Sequence, residues 1–275
     1  MTASVQEAGA AIVSRPTPRQ QQALTWERIA ESMPDFSRAR SSEYYRRCEI
    51  ALIEREAGPL AGKSVLKLDL WNEAINTRIL NWIESRGATA YGLDLSHGVT
   101  RRAHVNAAAA GSKLSLVNAD IREVPFASES FDVVYTMGTI EHIAEYRDAM
   151  REIHRVLRPG GIALIGVPYK WDIFLRPLLV AVLEAFDRYP YAPEKSFSAR
   201  ELRRDIEGIG LKVTRRTGIL ALPGVLRMAD LFFYTRRIPL TGLLAPVIRA
   251  FEFAETRWRW PGNFGYLLTM VARKE

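Results

Sequence analysis

The chain has 275 residues, 48% hydrophobic and 25% charged, which is ordinary for a globular protein with a substantial core; one domain with insertions fits this length better than two. No apolar run approaches the roughly 20 residues that cross a bilayer, and no basic head precedes an apolar block, so a cytoplasmic location is expected, with the membrane surface as an alternative. Cys48 is the single cysteine, which excludes an internal disulfide, and with four scattered histidines it gives no metal-ligand pattern, so no metal is expected. The net charge of +7 resides in residues 200–275, which hold 14 Lys and Arg against 7 Asp and Glu. Such a bias suits a solvated face, or a surface for anionic lipid or a phosphorylated substrate. Nucleic acid is not expected, because the basic residues are mixed with apolar stretches and form no recognisable motif.

In chain order, residues 1–22 are small, polar and proline-containing and read as a flexible tail; residues 23–275 read as a single domain. Helical stretches over 24–57 break at Met33-Pro34 and end at Gly58-Pro59. Strands follow at Ser64–Leu70, Thr89–Leu95, Leu114–Ala119, Phe131–Met137 and Ile162–Val167, with Val213 and Gly265–Ala272 marking two more. Between them, Ile75, Ile79, Leu80, Trp82 and Ile83 form one helical face, Ser96 caps the next helix, and Ile143 to Leu157 make a long amphipathic one. Ser198 and Glu201 form a capping box before a further helix. The alternation predicts an α/β fold with a doubly wound, mostly parallel seven-stranded sheet. Two segments, 168–196 and 219–262, break the alternation; they are rich in aromatic and aliphatic residues and read as helical lid insertions over the carboxyl ends of the strands, where ligands bind in such sheets. A structural helical layer is the other reading.

Two acids stand out by position. Asp94 ends the second strand, where a carboxylate can accept hydrogen bonds from both ribose hydroxyls of a nucleoside. Asp120 ends the third, where the carboxylate or its neighbouring backbone can receive an adenine amine. Together, on one edge of one sheet, they point to a nucleoside site.

The stretches Y-G-L-D-L-S (91–96), N-A-D-I-R-E-V-P-F-A-S-E-S-F-D-V-V-Y (118–135), G-T-I-E-H-I (138–143) and H-R-V-L-R-P-G-G-I-A-L-I-G-V-P (154–168) resemble class I S-adenosylmethionine-dependent methyltransferases, most closely the type-11 group that includes quinone-biosynthesis enzymes. The resemblance covers about residues 60–168 and implies a Rossmann-like methyltransferase fold with S-adenosylmethionine as cofactor. It implies Asp94 and Leu95 at the ribose, Asp120 and Ile121 at adenine, Met137 and Gly138 beside the methionine part, and the 65–73 turn against the ribose and the amino-acid end.

That turn departs from the family pattern V-L-D-L-G-x-G-x-G. Lys67 stands at its acid, and Asp69, Trp71 and Glu73 stand at its three glycines. Glycine permits positive φ and close approach of backbone to ligand. Asp69 and Asn72 tolerate left-handed geometry better than most residues, but Trp71 cannot leave the same free volume. Two outcomes follow. In one the cofactor binds with altered contacts: Asp69 or Glu73 pairs with its ammonium, Trp71 faces a cation, and Lys67 satisfies an acid or the cofactor carboxylate. In the other the indole fills the pocket and the chemistry is lost. The charged replacements favour the first, since a collapsed pocket is more often apolar.

The segment carrying Glu141 and His142 faces the reacting methyl group in the resembling family. A hydroxyl acceptor needs a base, and a histidine near neutrality serves as one, so His142 is the candidate base, a helix-start histidine bonded to backbone being the other reading; Glu141 orients it or favours the helix dipole. No N-P-P-Y-type motif follows strand four, which disfavours amide or adenine amino acceptors. The expected activity is methyl transfer to oxygen or carbon of a small or lipid-linked acceptor. Peripheral membrane contact through the basic, aromatic C-terminal region would use Arg236, Arg237, Arg257 and Arg259. The alternatives are a non-catalytic methyltransferase-like scaffold and a domain binding another nucleoside ligand.

Overall fold

Apolar strands separated by amphipathic helices assemble into one sheet. The computed structural model describes residues 16–258 and 264–275. Its strands are β1 (Ser64–Leu68), β2 (Thr89–Asp94), β3 (Ser115–Asn118), β4 (Phe131–Met137), β5 (Leu157–Pro168), β6 (Leu211–Ile219) and β7 (Leu267–Lys274). They lie in the order β3-β2-β1-β4-β5-β7-β6, and the first five are mutually parallel. β7 enters antiparallel between β5 and β6. The expected doubly wound, mostly parallel, seven-stranded sheet is therefore present.

The pleat of β1 explains how the two faces are filled. Leu66 and Leu68 join the core on the side of α6 (Tyr146–Val156), with Met150, Ile153 and Phe197. Val65 joins the other core, with Tyr44 and Leu52 of α2 (Arg40–Ala57) and Ile79 and Leu80 of α4 (Ile79–Ser85). Each such fully buried side chain contributes about 1.5–3 kcal/mol. Gly92 on β2 makes room for a buried leucine: a Cβ there would lie 2.5 Å from Leu70 Cδ2 and would force that side chain to shift.

Several boundaries differ from expectation for identifiable reasons. Helix α1 (Pro18–Ser32) begins inside the stretch read as a tail, because Thr17 and Gln20 close a capping box with Pro18 in the first turn; residues 1–15 lie outside those described. The single helix expected over 75–83 is two, α3 (Trp71–Ile75) and α4, parted where Arg78 takes φ 52°. Glu141 and His142 sit in a 3₁₀ turn, Ile140–His142, ahead of α6. Ser96 caps α5 (His97–Ala109) and Ser198 caps α8 (Ala199–Glu207), as expected. The segments outside the alternation supply α7 (Arg176–Ala185), α9 (Gly224–Thr235) and α10 (Thr241–Trp258). Arg259 and Trp260 fall outside the described residues.

Candidate active site

The turn after β1 answers the question raised by its missing glycines. No residue from Asp69 to Glu73 has positive φ; the chain passes from β1 into α3 at Trp71 with ordinary backbone. The charged replacements also compensate one another. Lys67, fully buried, donates from Nζ to Asp69 Oδ1 at 2.7 Å and to the Asp69 carbonyl at 2.8 Å, and lies 4.0 Å from Glu73 Oε1. A lysine at the family's acid position thus neutralises an aspartate at its first glycine position. Thr139 Oγ1 donates to the second oxygen of Asp69 at 3.0 Å. Behind them, Tyr135 donates to the buried Glu49 at 2.7 Å. Burial raises Glu49 and Glu73 to about 7, and burial together with the acids around it sets Lys67, whose pKa is raised because Asp69 and Glu73 outweigh desolvation.

A cleft of about 1260 Å³, counted to its open mouth, lies beyond the carboxyl ends of the strands. Asp69, Trp71, Asp94, Leu95, Asp120, Ile121, Met137, Gly138, Glu141 and His142 all line it. Lys67 and Glu73 do not. They face inward beneath the turn, and Glu73 accepts the Leu80 amide at 3.2 Å, so neither is in the wall where sequence reading put it.

At one end, Asp94 accepts the amides of Leu70 (2.9 Å) and Ser96 (2.8 Å), and desolvation raises its carboxyl to about 6 despite those bonds. Asp120 is clasped by Arg122 through Nε and Nη2, with Nη2 at 2.7 Å, which holds it below the usual carboxylate range. At the end of β4, Gly138 takes φ 77°, a conformation that favours glycine. Trp71 stands in the wall in an edge-on aromatic row, 5.6 Å from Trp26 and 5.9 Å from Tyr191, and Trp26 continues to His142 at 5.0 Å. The row borders the cleft and leaves it open.

His142 has its Nδ1 3.1 Å from the Pro193 carbonyl. A carbonyl only accepts, so Nδ1 carries the hydrogen and the neutral ring keeps its lone pair on Nε2. Burial lowers the His142 pKa, which favours that neutral form. Glu141 Oε1 is 3.9 Å from Nε2, its Oε2 has no hydrogen-bond partner, and burial raises its pKa well above the usual value. Glu141, His142 and Glu194 place one ligand atom each within 4.8 Å of one another, a grouping hidden from the sequence because Glu194 comes from a distant segment. Glu194 is already committed to Arg176 and to Tyr189.

The family model for the methyltransferase domain matches residues 68–165, which run from the end of β1 into β5 and include the strand ends that line this cleft. This chain is a class I S-adenosylmethionine-dependent methyltransferase of the type-11 group. S-adenosylmethionine is the cofactor of this methyltransferase. It is 26% identical over 175 residues to a ubiquinone biosynthesis O-methyltransferase of Rhizobium leguminosarum bv. trifolii, covering 62% of this chain and 67% of that one. It is 36% identical over 91 residues to a sterol 24-C-methyltransferase of Gibberella zeae, covering 32% of this chain and 23% of that one. Among solved structures, the fold resembles the [4+2]-cyclase SpnF (TM-score 0.61, 17% identity, 94% of this chain and 96% of that one). It also resembles a methyltransferase from Thermotoga maritima (TM-score 0.60, 13% identity, 92% of this chain and 100% of that one).

The donor set of the methyltransferase fits its cofactor. The cleft is open beyond β1, the turn needs no glycine conformation, and Asp94 presents a carboxylate whose oxygens retain lone pairs after accepting two amides. The sequence did not point to α1 in the cleft, and it marked the segments that hold α7 and α9 as lid without singling out Arg176 or Arg227. Gln22 and Trp26 reach the cleft from α1, which is tied down by Glu27 accepting from Ser96 Oγ (2.6 Å) and the Gly98 amide (2.9 Å). Arg176, Tyr191, Arg227 and Tyr266 reach it from later segments. The aromatic and aliphatic density of 168–196 and 219–262 signals the later segments, and the helical spacing of Gln22 and Trp26 is the signal for α1.

Proposed function

We propose that this methyltransferase transfers the methyl group of S-adenosylmethionine to a hydroxyl oxygen of a small, lipid-like acceptor, with His142 as the base. The observation that carries the reading is the neutral His142 ring in the cleft, its Nδ1 hydrogen directed to Pro193 and its Nε2 lone pair left to take a proton. Transfer to carbon, the other outcome expected from sequence, has less need of this base. When bound, the cofactor's sulfonium supplies an electrophilic methyl carbon. Asp94 and Leu95 would hold the ribose, the Ile121 backbone with Asp120 the adenine, and Asp69, Met137 and Gly138 the methionine portion. Trp71 and Trp26 would wall the sulfonium. Glu141 would orient the acceptor or His142. The segments 168–196 and 219–262 would act as lid, since Arg176, Tyr191 and Arg227 border the cleft.

A lipid-like acceptor is supported by the reversed polarity of two helices. α7 buries Arg176 and exposes Leu178, Val182 and, just beyond its end, Phe186; α9 buries Asp230 and exposes Val225, Met228 and Phe232. Lys170, Arg236 and Arg237 stand exposed near these faces and form no ion pairs among the described residues. No described helix is long and apolar enough to cross a membrane. The proposed contact is therefore peripheral. Names of the relatives, one acting in ubiquinone biosynthesis and one on a sterol, agree with an apolar acceptor.

Radiolabelled methyl transfer to catechol and to an alkyl catechol tests the reading. Labelled methyl ether is expected with both, more with the alkylated one; cofactor binding without labelling of any hydroxyl acceptor in a wider panel would overturn it.

A further inference from the structure

Two guanidinium groups border the end of the cleft near α7 and α9, and they are not equivalent. Arg176 is buried and clasped by both oxygens of Glu194, with Nη2 to Oε2 at 2.8 Å. Arg227, on α9, is partly buried, lines the cleft and forms no ion pair among the described residues. Its guanidinium lies over the Tyr45 ring at 5.1 Å and the Tyr266 ring at 5.8 Å. Its one hydrogen bond among the described residues is a long contact, 3.4 Å, from Nη1 to the Ser41 carbonyl. Asp230, one turn further along α9, accepts the Ser41 amide at 2.8 Å instead of pairing with it. Tyr266 carries both arginines, with Arg176 at 4.3 Å.

Among the described residues, the other arginines that line the cleft have their anions: Arg122 has Asp120, and Arg176 has Glu194. Arg227 is the cation left over. A guanidinium does not shed its proton, so in this partly buried position its charge borders the cleft with no anion among the described residues. Two aromatic faces hold its plane and stabilise the cation without satisfying its N–H donors. What satisfies them is a planar or branched oxyanion.

We propose that Arg227 is a substrate-recognition residue and that the acceptor carries a carboxylate or phosphate group, bound by this guanidinium. This rests on the methyl-transfer reading above. Tyr45 and Tyr266 clamp the arginine, so that the anion sets the position of the acceptor relative to His142. The anionic group selects acceptors and takes no part in the chemistry.

The test uses the full chain saturated with S-adenosylhomocysteine. Calorimetric titration compares 4-hydroxybenzoate with 4-hydroxybenzamide, and phenyl phosphate with phenol. In at least one pair the anion is expected to bind about 10-fold tighter or more. The pair with the larger ratio identifies carboxylate or phosphate. Arg227→Gln is expected to abolish the ratio, Arg227→Lys to keep part of it, and both to bind S-adenosylhomocysteine as the unsubstituted protein does. Should Arg227→Gln fail to fold, the ratio in the unsubstituted protein and its reduction in Arg227→Lys decide the matter. Equal binding within both pairs, or no binding of either anion, overturns the proposal. So does a matching loss of S-adenosylhomocysteine affinity in the variants, which would assign the guanidinium to the cofactor's own carboxylate. Failure of the unsubstituted protein to bind S-adenosylhomocysteine would instead remove the methyl-transfer reading.

Discussion

At the end of the cleft walled by β2 and β3, the acids are already fastened: Asp94 holds the amides of Leu70 and Ser96, and Asp120 is clasped by Arg122. At the end walled by α7 and α9, Glu141 leaves one oxygen without a donor and Arg227 has no anion among the described residues. The first end is organised before any ligand arrives, as suits a cofactor whose shape never varies. The second leaves polar groups for a ligand to complete, which is where selectivity between acceptors would be decided. Lys67 and Asp69 stand between the two ends and owe their compatibility to each other.

The sharpest way to separate the ends is to remove the proposed base. His142→Ala is expected to lower the rate of methyl transfer to catechol by about 100- to 10,000-fold while calorimetric cofactor affinity stays unchanged. Equal loss of binding would place His142 with the cofactor instead. Next in size is the buried pair beneath the turn. Lys67→Met leaves Asp69 and Glu73 without their cation and is expected to cost about 3–5 kcal/mol in urea unfolding. Restoring the family residues at both positions, Lys67→Asp with Asp69→Gly, should be far milder than Lys67→Asp alone; additive losses would refute the compensation. Asp94→Ala is expected to weaken S-adenosylhomocysteine binding by about 10- to 100-fold, through the lost hydrogen bonds to a charged acceptor.

The smallest effect is a pH dependence. The folded protein keeps Glu49 and Glu73 protonated up to about 7, against 4.5 for the ordinary group. Between those values the native state binds more protons than the unfolded chain, so this contribution to stability is present at low pH and is lost as pH rises. Glu49→Gln should flatten the fall in melting temperature between pH 5 and 7 by about 2–4 °C. An unchanged slope would show that Glu49 is ionised throughout.

Much of this architecture could be read in the chain because local rules dominate it. The strand-end acid Asp94, Asp120 just beyond β3 and the Ser96 cap follow from spacing and from single residues, whereas Gly138 was marked by the family resemblance. The Trp71 turn was ambiguous for a physical reason: whether an indole fills a cavity or borders it depends on partners remote in sequence, here Trp26 and Tyr191. Lys67 pairs with Asp69, one of the two roles its charge suggested, whereas Glu73 was placed in the wall because it carries a charge, and its burial beneath the turn depends on Lys67 and the Leu80 amide. Arg227 and Glu194 gave no signal at all, since nothing local distinguishes a cleft arginine from the other cations of that basic region.

The carbonyl that fixes the His142 tautomer belongs to Pro193, on the same inserted segment as Tyr191 and Glu194. In the proposed reaction one stretch of chain would both border the acceptor and set the tautomer of the imidazole. Loss of the Pro193 contact would free the ring to swap its hydrogen between nitrogens, so proton abstraction would be armed only while that segment is seated.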